Sequence, residues 1–142
     1  MARSLKLHGF RDIVLIGDHG SDIAGQDAVA AKLNAEWAST PVRVHAISVY
    51  YRGDMAADQA EMMKMGITKE EFGNHSDVRD TSQMMYIDPA MVHKERLEAG
   101  NGKNGVEGDP RHASVKIGHM LTQRTIERTL DAIKKSIATT PR

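Results

Sequence analysis

Four consecutive aliphatic residues, Ile13-Val14-Leu15-Ile16, stop at Gly17 and give way to a polar turn, Asp18-His19-Gly20-Ser21-Asp22. Such a run leaves no solvent face, so it reads as a strand buried on both sides, as in parallel sheets. Gly17 and Gly20 mark the turn. Beyond it Val29, Ala30, Leu33 and Trp37 recur at helical spacing, which predicts an amphipathic helix over residues 23–37. In open α/β sheets, ligands bind in the crevice beyond the carboxyl ends of the strands. His19, flanked by Asp18 and Asp22, therefore stands where chemistry is expected.

The remaining pattern continues the alternation. Residues 5–10 read as the end of a helix delivering the chain to the first strand. After Pro41, residues 42–51 read as a second strand, with Val44, Ala46, Ile47, Val49 and Tyr51 supplying the apolar run. Asp54 is a plausible N-cap for a Met-rich helix over 55–65. Thr68 and Glu71 have capping-box spacing and predict a short helix over 68–72. Asp80 is expected to cap a helix over 81–87, which Pro89 interrupts, and residues 100–108 form a Gly- and Asn-rich loop. Asp109-Pro110 then opens the longest helix, with an apolar stripe of Ile117, Met120, Leu121, Ile126, Leu130, Ile133 and Ile137. The β-α-β-α order predicts an α/β fold with a mainly parallel sheet in a single domain, 1–142. Two strands cannot cover four or five helices, so the sheet is expected to be incomplete in this chain, with another chain or segment completing it.

Composition narrows the partners. Nineteen basic and 19 acidic side chains cancel, which leaves no positive field to attract nucleic acid or an anionic membrane. The sequence has no cysteine, so disulfides, zinc–thiolate sites and thiol nucleophiles are excluded, and any metal is held by histidine, carboxylate and water. No apolar stretch approaches the ~20 residues of a membrane span. Residues 1–7 are basic but lack the apolar core of a signal peptide, so the expected location is cytoplasmic. The nine methionines read as adaptable core filling.

Three segments carry candidate chemistry. His19, at a strand's carboxyl end, suits a metal ligand or general base, or simply a hydrogen bond to its own turn. In His75-Ser76-Asp77-Val78-Arg79-Asp80-Thr81-Ser82, an imidazole and two carboxylates can bind a divalent cation or relay protons, or Asp80 and Ser82 merely cap a helix. In residues 105–114 the glycines permit close backbone approach, and the helix start offers free N–H groups to an anion or a carbonyl oxygen; a plain loop and cap is the simpler reading. Ser21 lies in a strand-to-helix turn, but the G-x-S-x-G pattern of a nucleophile elbow is absent. His8, His45, His93, His112 and His119 show no partner pattern and read as structural.

Taken together in order, these segments resemble the signatures of the creatininase (creatinine amidohydrolase) family. Residues 9–22 resemble G-F-x-x-I-V-x-x-N-G-H-G-G-N, residues 74–82 resemble H-A-G-x-x-E-T-S, and residues 105–118 resemble G-V-x-G-D-P-x-x-A-s-x-x-x-G. The resemblance implies a three-layer, Rossmann-like α/β fold, of which this chain is similar to the carboxyl-terminal part. It implies a hydrolase with a divalent metal site, zinc or manganese, that opens cyclic amides or cleaves linear ones, usually as a homo-oligomer. By position, His19 and Asp80 would ligate metal, and His75 with Asp80 would serve proton transfer. Ser21, Asp22 and Asp77 would face the substrate.

Departures from the signatures are specific. Ser21 and Asp22 replace the last Gly and Asn of the first, Ser76-Asp77 replace the Ala-Gly of the second, and Asp80 is one methylene shorter than the family's glutamate. The family's early Glu-x-His, followed by an Asp, has no counterpart in residues 1–7. Three functions follow as expectations: a metal-dependent amidohydrolase acting on a small-molecule amide, a truncated non-catalytic assembly partner, or a metal-free serine esterase using Ser21. The first is expected to need ligands from a complementing N-terminal segment or a second copy, or an alternative arrangement using Asp18, Asp22 or Asp77.

Overall fold

The computed structural model describes residues 1–141 and mixes helices with one small parallel sheet. It divides into two compact units: Met1–Gly53 together with the chain from Thr125 onward, and Asp54–Arg124.

In the first unit, strands β1 (Asp12–Leu15) and β2 (Arg43–Ala46) pair in parallel, with Asp12 opposite Arg43 and Leu15 opposite Ala46. Paired residues share a face, so Ile13 and Val44 point together into a core with Ala30 and Leu33 of helix α2 (Asp22–Glu36), Trp37 and Val42. Asn34 of α2 donates from Nδ2 to the Val44 carbonyl (2.9 Å) and accepts the Val44 N–H on Oδ1 (2.8 Å). A side-chain amide thus occupies the edge of β2 away from β1, which blunts that edge against further pairing.

Arg43 is buried, and its guanidinium donates to the carbonyls of Trp37, Thr40 and Val42 and, from Nε, to Pro141. Helix α1 (Ala2–Leu7) is tied on by an Arg3–Glu36 ion pair and by Lys6 lying 4.6 Å from the Trp37 ring. The second strand is shorter than its composition predicts. Val49–Arg52 forms a helical turn, α3, rather than continuing β2. Its partner strand ends at Leu15, which accepts the Ile47 N–H at 2.9 Å; past that point there is no ladder, and the chain satisfies its backbone by coiling.

The second unit holds α4 (Met55–Lys64), α5 (Val78–Ile87) and the first turns of α6 (Val115–Thr139). Asp54 caps α4, accepting the Ala57 N–H at 3.1 Å, and the Thr68/Glu71 capping box forms around a 3₁₀ turn, Lys69–Glu71. The core gathers Met62, Ile67, Val78, Ile117 and Leu121. Met62 and Met85 are among the most enclosed side chains and fill the core, but Met1, Met55, Met63, Met84 and Met91 are exposed, so core filling accounts for only part of the methionine content.

Two helix starts differ from expectation. The cap of α5 is Asp77, not Asp80, and the helix begins at Val78. Helix α6 begins at Val115, not at Asp109-Pro110: the Asp109 carboxylate accepts the Arg111 N–H and its guanidinium, while Ser114 accepts the Ile117 N–H on Oγ (3.3 Å). The apolar stripe of α6 is also divided, with Ile117 and Leu121 buried but Ile126 and Leu130 exposed.

Candidate functional site

The turn after β1 brings His19, Ser21 and Asp22 together. The Asp22 N–H donates to the His19 carbonyl (3.0 Å), closing the turn into α2. His19 Nδ1 lies 2.8 Å from Ser21 Oγ and 3.2 Å from the Ser21 N–H, and Ser21 Oγ donates to Asp22 Oδ1 at 3.4 Å. Two tautomers follow. If Nδ1 accepts from Ser21, Nε2 carries the ring proton and is a donor. The other tautomer, with Nδ1–H donating to Ser21 Oγ, would free the Nε2 lone pair for an ion or a proton, but it sets Nδ1–H against the Ser21 N–H that already points at Nδ1. Ser21 and Asp22 both bear on the Nδ1 side, so this turn does not set a carboxylate on the second ring nitrogen, as a serine triad requires. All three side chains are exposed.

The second segment belongs to the other unit and is built around Asp77. Its fully buried carboxylate accepts the Arg79 N–H (2.8 Å) and Asp80 N–H (3.1 Å) on Oδ1, and the Gly73 N–H (3.0 Å) and Arg79 Nε (2.8 Å) on Oδ2. Asp77 is thus committed to holding the loop and presents no open face to a substrate. Ser76 takes the left-handed conformation (φ 54°), uncommon for a residue with a side chain, and its N–H donates to Asp80 Oδ2 at 2.9 Å. This turn carries His75 next to the first turn of α5.

Although Asp80 is exposed, partial burial of its carboxyl and the neighbouring Asp77 carboxylate hold it above the ordinary aspartate range, against the Ser76 N–H, Arg79 and His75. A raised carboxyl favours the fold while protonated and loses that contribution as pH rises through its folded value. Asp80→Asn is therefore expected to stabilise the chain at pH 7, by about 0.5 kcal/mol after discounting for exposure. The gain should fade below about pH 4. Thermal unfolding of the two forms across pH checks this; an Asn variant less stable at pH 7 contradicts it.

The third segment supports the second. His75 and Glu107 form an antiparallel bridge, with the Glu107 N–H donating to the His75 carbonyl (2.9 Å), and Asn74 Nδ2 reaches Glu107 Oε2 (2.9 Å). A Cβ on Gly73 would meet the Glu107 carbonyl oxygen at 1.6 Å, so only glycine permits this approach. Buried Ser82 accepts the Ser114 N–H on Oγ (3.0 Å). His112, expected to be structural, has Nδ1 2.6 Å from Glu71 Oε1. Burial pushes the Glu71 carboxyl up, but hydrogen bonds from Thr68 and His112 outweigh it and hold it below the usual range.

His19, Ser21 and Asp22 thus lie in the first unit, and His75, Asp77 and Asp80 in the second. Among the described residues, no group of three or more His, Asp or Glu side chains is arranged to hold a metal ion. The donor set therefore does not by itself fit a resident zinc or manganese centre, since even an open catalytic zinc keeps three protein ligands. Also among the described residues, no helix is long and apolar enough to cross a membrane.

No curated protein matches the chain. A solved structure from Bacteroides fragilis NCTC 9343, described as a "putative creatinine amidohydrolase", is similar to it with a TM-score of 0.68 and 15% identity, over 98% of this chain and 58% of that one. At that identity the likeness speaks to the fold, and this chain spans little more than half of its neighbour's length. The family model named Creatininase, creatinine amidohydrolase, matches residues 1–133. With three signature segments in order and a family match over nearly its whole length, the chain belongs to the creatininase (creatinine amidohydrolase) family.

Proposed function

We propose that residues 1–142 act as one creatininase-like domain, corresponding to the later part of a three-layer family fold, and that its chemistry is hydrolysis of a cyclic or linear amide C–N bond in a small molecule. The observation that carries this reading is the turn after His75, whose Ser76 N–H is held by Asp80 Oδ2, with the Asp80 carboxyl raised by burial and by Asp77. An imidazole beside a carboxyl that keeps its proton to higher pH is suited to handing a proton to a departing nitrogen. In this reading His75 delivers that proton and Asp80 is its carboxyl partner. Asp77 positions the loop, and in the other unit Ser21 and Asp22 are the candidate hydrogen-bonding groups for a substrate.

The family relies on a divalent cation, zinc or manganese. His19 in the first unit and Asp80 in the second are each a candidate ligand, and the remaining ligands for either would come from a complementing segment or from a second copy in a homo-oligomer. The free edge of β1 is where such a segment would complete the sheet. A second reading, a non-catalytic assembly partner, draws its support from the lack of a three-donor group among the described residues.

Purified protein should be assayed against cyclic and linear amides, creatinine included, with added zinc or manganese and with chelator. The expected result is metal-dependent hydrolysis that His75→Gln lowers by roughly 100-fold. Retention of less than about a tenth of an equivalent of metal, together with no turnover, would select the assembly-partner reading.

A further inference from the structure

His45 has two side-chain partners that no local pattern announces. It is almost fully buried on β2; its Nε2 lies 3.0 Å from Asp12 Oδ1 on β1, and its Nδ1 lies 2.8 Å from Ser136 Oγ on α6. All three residues belong to the first unit. The Asp12 carboxylate can only accept, so Nε2 carries the proton and Nδ1 presents its lone pair to the Ser136 hydroxyl. In a helix, a serine hydroxyl usually bonds the carbonyl one turn back; this one lies against an imidazole instead. Ser136 also lines a cavity of about 330 Å³, with Ala46, Ile47, Ser48, Val49 and Lys135. That cavity opens just past the carboxyl end of β2, where open α/β sheets bind their ligands.

We propose that Ser136 is a nucleophile, activated by His45 and Asp12, that takes a small carboxylic ester into this cavity. The ring nitrogens are used in the opposite sense to the familiar serine triad, but each can act as acid or base, so the relay is chemically equivalent. Ser136 Oγ attacks the ester carbonyl and its proton passes to His45 Nδ1, while Asp12 stabilises the imidazolium. The carbon–oxygen bond to the alcohol breaks, and the alcohol leaves with the proton held by His45. Water, deprotonated by the same nitrogen, then frees the acid and restores the serine. Ser48 and Lys135 are the lining groups suited to the negative charge that gathers on the carbonyl oxygen. None of the residues assigned to amide hydrolysis takes part, so the two activities stand or fall separately.

A fluorophosphonate probe tests this on the whole chain: Ser136 Oγ bonds to phosphorus, fluoride leaves, and the serine proton goes to His45. Peptide mass spectrometry should place one label per chain on Ser136. Its rate should fall by roughly 100-fold or more in His45→Gln and by a smaller factor in Asp12→Asn. Because the buried His45 variant can fail to fold, the half-exposed Asp12 variant and the pH profile of wild-type labelling give an independent readout; the rate should drop as the imidazole protonates. A label absent from Ser136, or one indifferent to pH and to Asp12→Asn, overturns the proposal.

Discussion

Asp77→Ala is expected to destabilise the second unit by about 3–5 kcal/mol, enough to unfold the loop that presents His75 and Asp80. The cost does not come from the ion pair with Arg79 alone. Asp77 is fully buried and accepts four donors, three of them backbone N–H groups from Gly73, Arg79 and Asp80. Truncation leaves the Gly73 N–H and a largely enclosed guanidinium without their acceptor, and an unpaired buried group loses its full solvation. It also removes the cap of α5. Asp77→Asn keeps the shape but turns an amide NH₂ toward groups that are themselves donors, so it should cost about 2–3 kcal/mol. Arg79→Ala should cost less than either, because the three backbone donors still satisfy the carboxylate. Urea unfolding followed by circular dichroism orders the three. If Arg79→Ala proved as damaging as Asp77→Ala, the ion pair rather than the cap would hold the loop.

The two neighbouring aspartates also show what can be read from a sequence. Asp77 and Asp80 both satisfy the local rule for an N-cap, and nothing within a few residues separates them. The choice is made by the Gly73 N–H and the Arg79 side chain, which meet Asp77 only once the loop has folded back on itself. Asp109-Pro110 likewise satisfies the rule for a helix start, yet Asp109 turns to Arg111 and the cap passes to Ser114. Strand β1 was readable in position because an unbroken aliphatic run needs no tertiary information, but not in burial: it spans Asp12–Leu15, only Ile13 is buried, and Ile16 lies beyond it, exposed. The run from Val49 to Tyr51 looked the same but has no strand beside it, so it coils. His45 was unreadable for a plainer reason: its partners are 33 and 91 residues away. Two of the signature glycines, Gly108 and Gly118, carried what periodicity lacked, because each records a backbone approach that a Cβ would block.

Gly118→Ala is the second large effect, and its interest lies in its sign. In an open helix this exchange stabilises by about 0.5–1 kcal/mol, since alanine loses less backbone freedom on folding. Gly25, on α2 with nothing within 4 Å of its missing Cβ, should show that gain. At Gly118 a Cβ would lie 1.9 Å from the Ser82 carbonyl oxygen, 2.5 Å from its carbon and 2.8 Å from Tyr86 Cβ. Two of these neighbours are the backbone of α5, which cannot swing aside like a side-chain tip. To restore ordinary contact, α5 must retreat from α6 by about 1.5 Å, and close-packed interiors do not absorb such a shift locally. The retreat would also stretch the 3.0 Å bond from the Ser114 N–H to Ser82 Oγ and move the helix whose first turn carries Asp80. A net loss of about 3 kcal/mol or more is expected, where propensity alone predicts a gain. Urea midpoints for Gly25→Ala and Gly118→Ala should therefore move in opposite directions. Were both to rise, α5 and α6 would not meet backbone to backbone at Ser82, and the tie between the second and third signature segments would be lost.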